Sequence, residues 1–372
     1  MSRWNGNRPR ERADEREKKK GGPASGALAT GHETSPLSWS VAVVGFRRDL
    51  LSSGVTLRGH TKNNVIGAAA DVGSTSVHLL VASLDDWRID TLVDESAFLG
   101  LGEAVEARSH LGPELIGALA GTIAGYAERT AALGATEVAF VGTEPLRRAA
   151  DAPTAVYEVA RRSGAALHVL TQREEALLTL LGVTGGRRVE RPMLIVDVGG
   201  GSTELVVVTP DGSPSVAGLA LGAIRLTGQI VRHDPPTPAE IEDLRHAARA
   251  VLAAAPDEEA GDLVLVGGTA SNLLRLMPPS PGVRLTPRHL AVALDLLATT
   301  PAAEVAARRG IRPERARLLP AGAAIVAALL ERYASAGARV SDAGVREGTV
   351  LALGRAGANW RDALPGLVGG WR

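Results

Sequence analysis

The chain has 372 residues, 45% of them hydrophobic, with 41 basic and 41 acidic side chains and no cysteine. That length accommodates two ordinary domains of roughly 100–200 residues each. The absence of thiols excludes disulfides, thiolate nucleophiles and cysteine-based metal centres. Charge is uneven, because residues 1–67 hold 12 basic and 6 acidic side chains and leave the rest of the chain acidic. A broad nucleic-acid-binding surface on that body is not expected.

Residues 1–35 are polar and rich in Gly, Pro, Arg and Lys, a composition that cannot bury enough surface to offset the entropy of ordering. Residues 36–66 lack clear periodicity, so 1–66 reads as a disordered or poorly ordered N-terminal extension. The first strong strand signal starts at Val65, and the native start is expected near there. All four lysines (Lys18, Lys19, Lys20 and Lys62) fall in this stretch. A Walker-type Gly-Lys loop is therefore missing from the body, and cations beside a phosphate there must be arginines. No apolar run reaches the ~20 residues that span a bilayer, and 41–46 is shorter than the roughly 7–15 residues of a signal-peptide core. A cytoplasmic location is expected.

From residue 67 the pattern is regular. Two apolar runs, 67–71 and 77–83, flank a polar turn and read as a hairpin, followed by a third strand over 88–97. A helix is expected over 113–133, with Pro113 in its first turn and Gly134 as its stop. A strand (137–141), a helix (153–163), a strand (166–170) and a helix (174–182) follow. The same order then begins again, with strands at 193–198, 204–209 and 215–220 and helices at 221–231 and 238–254. A strand at 263–266 runs into a helix at Gly267, and further helices are expected over 287–297 and 313–333 before a short strand at 339–341. Strand, glycine turn, strand, strand and helix thus occur twice. This implies an internal duplication of one α/β domain with a cleft between the copies. Lobes are expected over 67–190 and 191–355, with a C-terminal tail over 356–372.

Each copy carries an acid at the end of its first strand. After Asp71 the turn Val72-Gly73-Ser74-Thr75-Ser76 bares backbone N–H groups and hydroxyls suited to phosphate oxygens, with the acid facing a metal. An ordinary polar hairpin loop has the same composition. After Asp197 the run Val198-Gly199-Gly200-Gly201-Ser202-Thr203-Glu204 is more specific. Three glycines permit close backbone approach, and the flanking Asp197 and Glu204 can reach one bridging Mg²⁺. Gly142-Thr143-Glu144-Pro145-Leu146-Arg147 opens a helix whose N-terminus favours anions, with Arg147 able to fork onto a phosphate. Glu174 and Glu175 open the helix that leads into the second copy. Acids there often serve only the helix dipole, but Glu175 near the cleft could orient or deprotonate a water. Gly267-Gly268-Thr269-Ala270 reads either as a nucleotide-contact turn or as a plain strand–helix turn. Asp342 and Arg346 are expected to pair structurally, and His78 reads as a packed or edge residue.

Together, DVGSTSVHLL from Asp71, GTEPLRRA from Gly142, REEALLTLLGV from Arg173, IVDVGGGSTELVVV from Ile195, LALGAIRLT from Leu219, LVGGTASNLL from Leu265 and RVSDAGVREG from Arg339 resemble the exopolyphosphatase/guanosine pentaphosphatase (Ppx/GppA) family. The resemblance implies two duplicated ribonuclease-H-like lobes, as in actin and the sugar kinases, with the active site in the interlobe cleft. By resemblance, Glu175 is the water-activating glutamate, and Asp71, Asp197 and Glu204 face the metal, Mg²⁺ or alternatively Mn²⁺. Residues 73–76 and 199–203 are the two phosphate loops, joined by Thr143 and Arg147. The implied reaction releases terminal phosphate from inorganic polyphosphate. The alternatives are the 5′-phosphate of guanosine pentaphosphate, or binding of polyphosphate or guanosine tetraphosphate without catalysis. Neither a specific nucleic acid nor a membrane is an expected partner, and a homodimer is compatible with the composition. Thr75 replaces the family's usual Asn, Gln172 a common Gly, and Glu144 a small or polar neutral residue. The C-terminal helical extension of the longer members is expected to be missing.

Overall fold

A computed structural model of the protein describes residues 65–258, 261–278 and 282–369. All but the last two residues of the extension expected over 1–66 lie outside them, and Val65 and Ile66 already belong to the first strand.

The first sheet contains β1 (Val65–Val72), β2 (Ser76–Asp85), β3 (Arg88–Phe98), β4 (Glu137–Gly142) and β5 (Leu167–Val169), in the order β3-β2-β1-β4-β5. The second contains β6 (Met193–Val198), β7 (Thr203–Val208), β8 (Ser215–Leu219), β9 (Asp262–Val266) and β10 (Arg339–Val340), in the order β10-β9-β6-β7-β8. Each sheet therefore runs third, second, first, fourth, fifth strand, with the first strand antiparallel to the second and parallel to the fourth. This is the duplication read from the repeat, in the ribonuclease-H-like arrangement that the family resemblance implies.

Three apolar layers bury the sheets. In the first lobe, α1 (Leu101–Arg108), α2 (Pro113–Ala132) and α4 (Ala152–Ser163) cover one sheet face, which presents Ala68, Ala70 and Val72 of β1. In the second, α6 (Ala223–Ile230), α7 (Pro238–Leu252), α8 (Gly267–Arg275), α9 (Pro287–Thr299), α10 (Ala302–Arg309) and α11 (Pro313–Arg332) cover the face presenting Leu194, Val196 and Val198 of β6. The third layer lies between the sheets and contains α5 (Gln172–Thr184), α12 (Val345–Ala356) and α13 (Trp360–Gly369). Side chains alternate along a strand, so Ala69 and Ile195 point into this middle layer. Asp71 and Asp197, two residues further on, continue the same inner rows. Glu204 is directly across from Asp197, and His78 directly across from Asp71.

The middle layer modifies the expected domain limits. Residues 345–355, assigned to the second lobe, form α12, which packs on β1, β4 and α5 of the first. The expected tail over 356–372 contains α13, whose Trp360, Leu364 and Val368 are buried. The apolar faces of both helices are covered by this packing. α1 and α10 are further helices absent from the expected elements.

α5 and α12 cross with their backbones touching. A Cβ on Gly348 would collide with the Leu178 carbonyl, and one on Gly182 with the Gly344 carbonyl. Backbone cannot yield as a side-chain tip can. Gly348→Ala is expected to destabilise the protein by about 1–3 kcal/mol through overpacking, read as a lower urea midpoint at unchanged slope.

Candidate active site

The two glycine loops are built alike. Each hairpin closes with one backbone bond, Gly73 N to Ser76 O at 3.1 Å and Gly199 N to Ser202 O at 3.0 Å. In both, neighbouring backbone N–H groups hold the loop carbonyls outward. Ser74 O accepts from Gly102 N of α1 at 2.7 Å, and Thr75 O accepts from Leu99 N and Gly100 N just before that helix. Gly199 O accepts from Ala223 N, and Gly200 O from Ile224 N and Arg225 N, at the start of α6. A trans peptide points C=O and N–H in opposite directions. Holding the carbonyls outward therefore aims the following N–H groups away from α1 and α6. Among the described residues, the N–H groups of Ser74, Thr75, Gly200, Gly201 and Ser202 donate to no backbone acceptor. The loops also touch, since a Cβ on Gly200 would lie 2.6 Å from Ser74 Cβ.

One solvent-open cavity of about 140 Å³ takes in the facing loops, Asp71, Thr143, Glu175 and Asp197. Glu175 reaches it because Thr171 and Glu174 cap α5. Thr171 accepts from Glu174 N at 3.2 Å, and Glu174 accepts from Thr171 N at 2.7 Å. Glu174 also pairs with Arg361 of α13. Of the two first-turn acids, one therefore anchors the helix and the other faces the cleft. Gln172 packs over Gly218 of β8, so this departure leaves the start of α5 in place.

Several expected phosphate contacts have other partners. Arg147, on α3 (Glu144–Arg148), donates to Glu175 at 2.5 Å, to the Leu170 carbonyl at 3.1 Å and to Glu204 at 3.4 Å. It holds carboxylates and does not line the cavity. The Thr203 hydroxyl donates to Leu221 O at 2.6 Å and is fully buried, facing into the fold. Thr143 lines the cavity, but its hydroxyl donates to Val72 O at 3.0 Å. Arg346 pairs with Asp94 at 2.6 Å, not with Asp342, because α12 packs on the first sheet.

Residues 80–354 match the model of the Ppx/GppA phosphatase family. The chain belongs to that family. Exopolyphosphatase 2 of Mycobacterium tuberculosis is 30% identical to it over 77% of this chain and 98% of its own. Exopolyphosphatase 1 of Mycobacterium leprae is 30% identical over 76% and 87%. Among solved structures, the Aquifex aeolicus PPX-GPPA enzyme has a TM-score of 0.66 at 28% identity, covering 77% of this chain and 99% of that one.

The cleft of this Ppx/GppA chain also contains Arg315 and His78, which sequence reasoning did not place there. Arg315 of α11 donates to Ser76 Oγ at 2.7 Å, and Ser76 Oγ is 2.7 Å from His78 Nε2. Arginine can only donate, so the serine proton goes to His78, which therefore accepts through Nε2. Burial, aided by nearby arginines, lowers the His78 pKa to about 3 and keeps the ring neutral. Only the folding of α11 across the cleft brings Arg315 there, and no local sequence signal marked it.

The carboxylates crowd like charge into the cleft. Burial, then repulsion from Glu175 and Asp197, raises Asp71 to about 8. Burial, then Glu175, raises Asp197 to about 7. Asp71 Oδ1 is buried without a hydrogen-bond partner. A cation would relieve all three features. Glu204 stands directly across from Asp197 and raises the local negative charge, but Arg147 and the Ser202 hydroxyl also engage it and it does not line the cavity. Among the described residues no group of three His, Asp or Glu side chains is arranged to hold a metal. Two carboxylates suit Mg²⁺, which commonly takes one or two together with water and substrate phosphate oxygens. Asp197 Oδ1 has room because Gly267, at φ +84°, lacks a Cβ that would stand 2.5 Å from it.

Both aspartates have folded pKa values above their unfolded value of 3.8. Between these values the native protein binds more protons than the unfolded chain, so its stability falls as pH rises. With a chelator present, Tm should fall as pH rises from 5 through 7 and 8, then level off. Asp71→Asn and Asp197→Asn should each flatten that slope in a calorimetric pH series.

Proposed function

We propose that this Ppx/GppA protein releases terminal phosphate from inorganic polyphosphate in the cleft between its lobes, with Mg²⁺ held by Asp71 and Asp197. The observation that carries this reading is the cavity where inward-facing loop N–H groups meet two aspartates and Glu175. The exopolyphosphatase names of relatives matched over most of their length support the substrate class. A cytoplasmic location is part of the proposal. No helix among the described residues is long and apolar enough to cross a membrane.

The N–H groups of Thr75, Gly200 and Gly201 bind the oxygens of the terminal phosphoryl group, one loop from each lobe. The bound metal ion supplies charge neutralisation to that group. Arg147 holds one oxygen of Glu175, fixing the carboxylate against the cleft wall while its other oxygen accepts a proton from water. The water oxygen forms the new bond to phosphorus. The bridging P–O bond breaks, and its electron pair stays on the shortened chain. Catalysis is mostly positioning and charge stabilisation, as in other phosphoryl transfers. Arg315 adds a cation on the Ser76 side of the cavity.

Glu175→Gln keeps an acceptor for Arg147 but removes the base. Turnover on long polyphosphate with Mg²⁺ is expected to fall at least about a hundredfold, and a chelator should stop phosphate release by the native protein. Near-normal release by Glu175→Gln would remove this residue from the role. Faster release from guanosine pentaphosphate than from polyphosphate would overturn the assigned substrate.

A further inference from the structure

One carbonyl of the second loop is held by a side chain. Backbone N–H groups hold Ser74 O, Thr75 O, Gly199 O and Gly200 O, but Gly201 O accepts from a side chain, Arg225 Nε, at 2.8 Å. The other end of the same guanidinium reaches the opposite lobe, where Nη2 donates to Glu144 at 3.2 Å. Glu144 is buried, and its carboxylate lies over Gly201 so closely that a Cβ there would collide with it. Arg148 donates to Glu144 at 2.9 Å and to Glu106 of α1 at 2.9 Å. The result is a chain of four charges that crosses the cleft beside the loop and ends on its backbone.

We infer that Arg225 is a positioning residue that locks the Gly201–Ser202 peptide with the Ser202 N–H toward the bound phosphate, and that Glu144 holds it there only while the lobes are together. With the Gly201 carbonyl held outward, the Ser202 N–H of the same trans peptide must point the other way, and Ser202 lines the cavity. The restraint matters because Gly201, with no Cβ, leaves the carbonyl end of this peptide wide conformational freedom. Separating the lobes would remove Glu144 and free the guanidinium. The peptide orientation in the second loop therefore depends on lobe closure, whereas the Ser74 and Thr75 carbonyls of the first are held by backbone of their own lobe and keep their geometry in either state. Glu144, which departs from the family's usual residue, has a role here as the lock's anchor. The inference rests on the phosphate-loop reading proposed above.

The test uses full-length protein labelled with ¹⁵N-serine and titrated with inorganic phosphate and Mg²⁺, alongside polyphosphate kinetics. In the native protein the Ser202 amide resonance should shift on adding phosphate. In Arg225→Gln it should not, and kcat/KM should fall by about a hundredfold, the scale of a roughly 1 Å misplacement, with Tm close to the native value. Added methylguanidinium should restore part of the activity of Arg225→Ala, which a merely structural role would not allow. Glu144→Ala should reproduce the loss and Glu144→Gln only part of it. An Ser202 amide that responds to phosphate equally with and without the Arg225 guanidinium would overturn the inference. If the native protein leaves polyphosphate intact while its Ser202 amide responds to phosphate only with Arg225 present, the substrate reading fails and the lock stands.

Discussion

Like charge confined between two sheets is the constraint on which the site depends. Asp71 and Asp197 end equivalent strands on inward-facing rows, and Glu175 opens the helix packed between those rows. Arg147 balances Glu175 and Glu204 but has no contact with the aspartates. Like charges directly across a strand pair are unfavourable, and burial makes them more so. In the proposed reaction a cation and the substrate would offset this charge. The raised aspartate pKa values express the same burial and crowding.

Duplication explains how two lobes can share one ligand. The four-residue loops close with the same bond, follow aspartates at the same strand end and have carbonyls drawn back by a neighbouring helix start. The copies have since diverged in ways that separate their roles. Glu204 stands across from Asp197 where neutral His78 stands across from Asp71. The first lobe thus presents Ser76 and His78 to Arg315 of the second, and the second presents an acid tied to Arg147 of the first. A shared apolar layer of α5, α12 and α13 joins the two copies, so chain order alone does not mark the lobe boundary.

The repeat, its strands and the placement of the aspartates were legible because alternation and glycine turns are local signals. α1 was not legible. Its start is fixed by tertiary bonds, with Gly102 N on Ser74 O, in a segment with three glycines or alanines among its first five positions from Gly100. α13 contains Pro365 and is held by burying Trp360 against the middle layer. Within the site, residue type gave the chemistry but not the partner. Arg147 could have met phosphate or carboxylate, and the choice depends on α5 standing beside α3. Thr203 looked like a loop hydroxyl, yet the last hairpin position turns inward to Leu221. Glu144 looked misplaced beside a polyanion until Arg148 and Arg225 were seen to neutralise it.

The central proposal, that Asp71 and Asp197 together accept a cation, is tested most directly by calorimetric Mg²⁺ titration in buffers of different ionisation enthalpy. At pH 6.5 Mg²⁺ uptake should release about one to two protons, since ligands must deprotonate to bind metal, and Asp71→Asn should reduce that number. Uptake without proton release, or unchanged in Asp71→Asn, would contradict it.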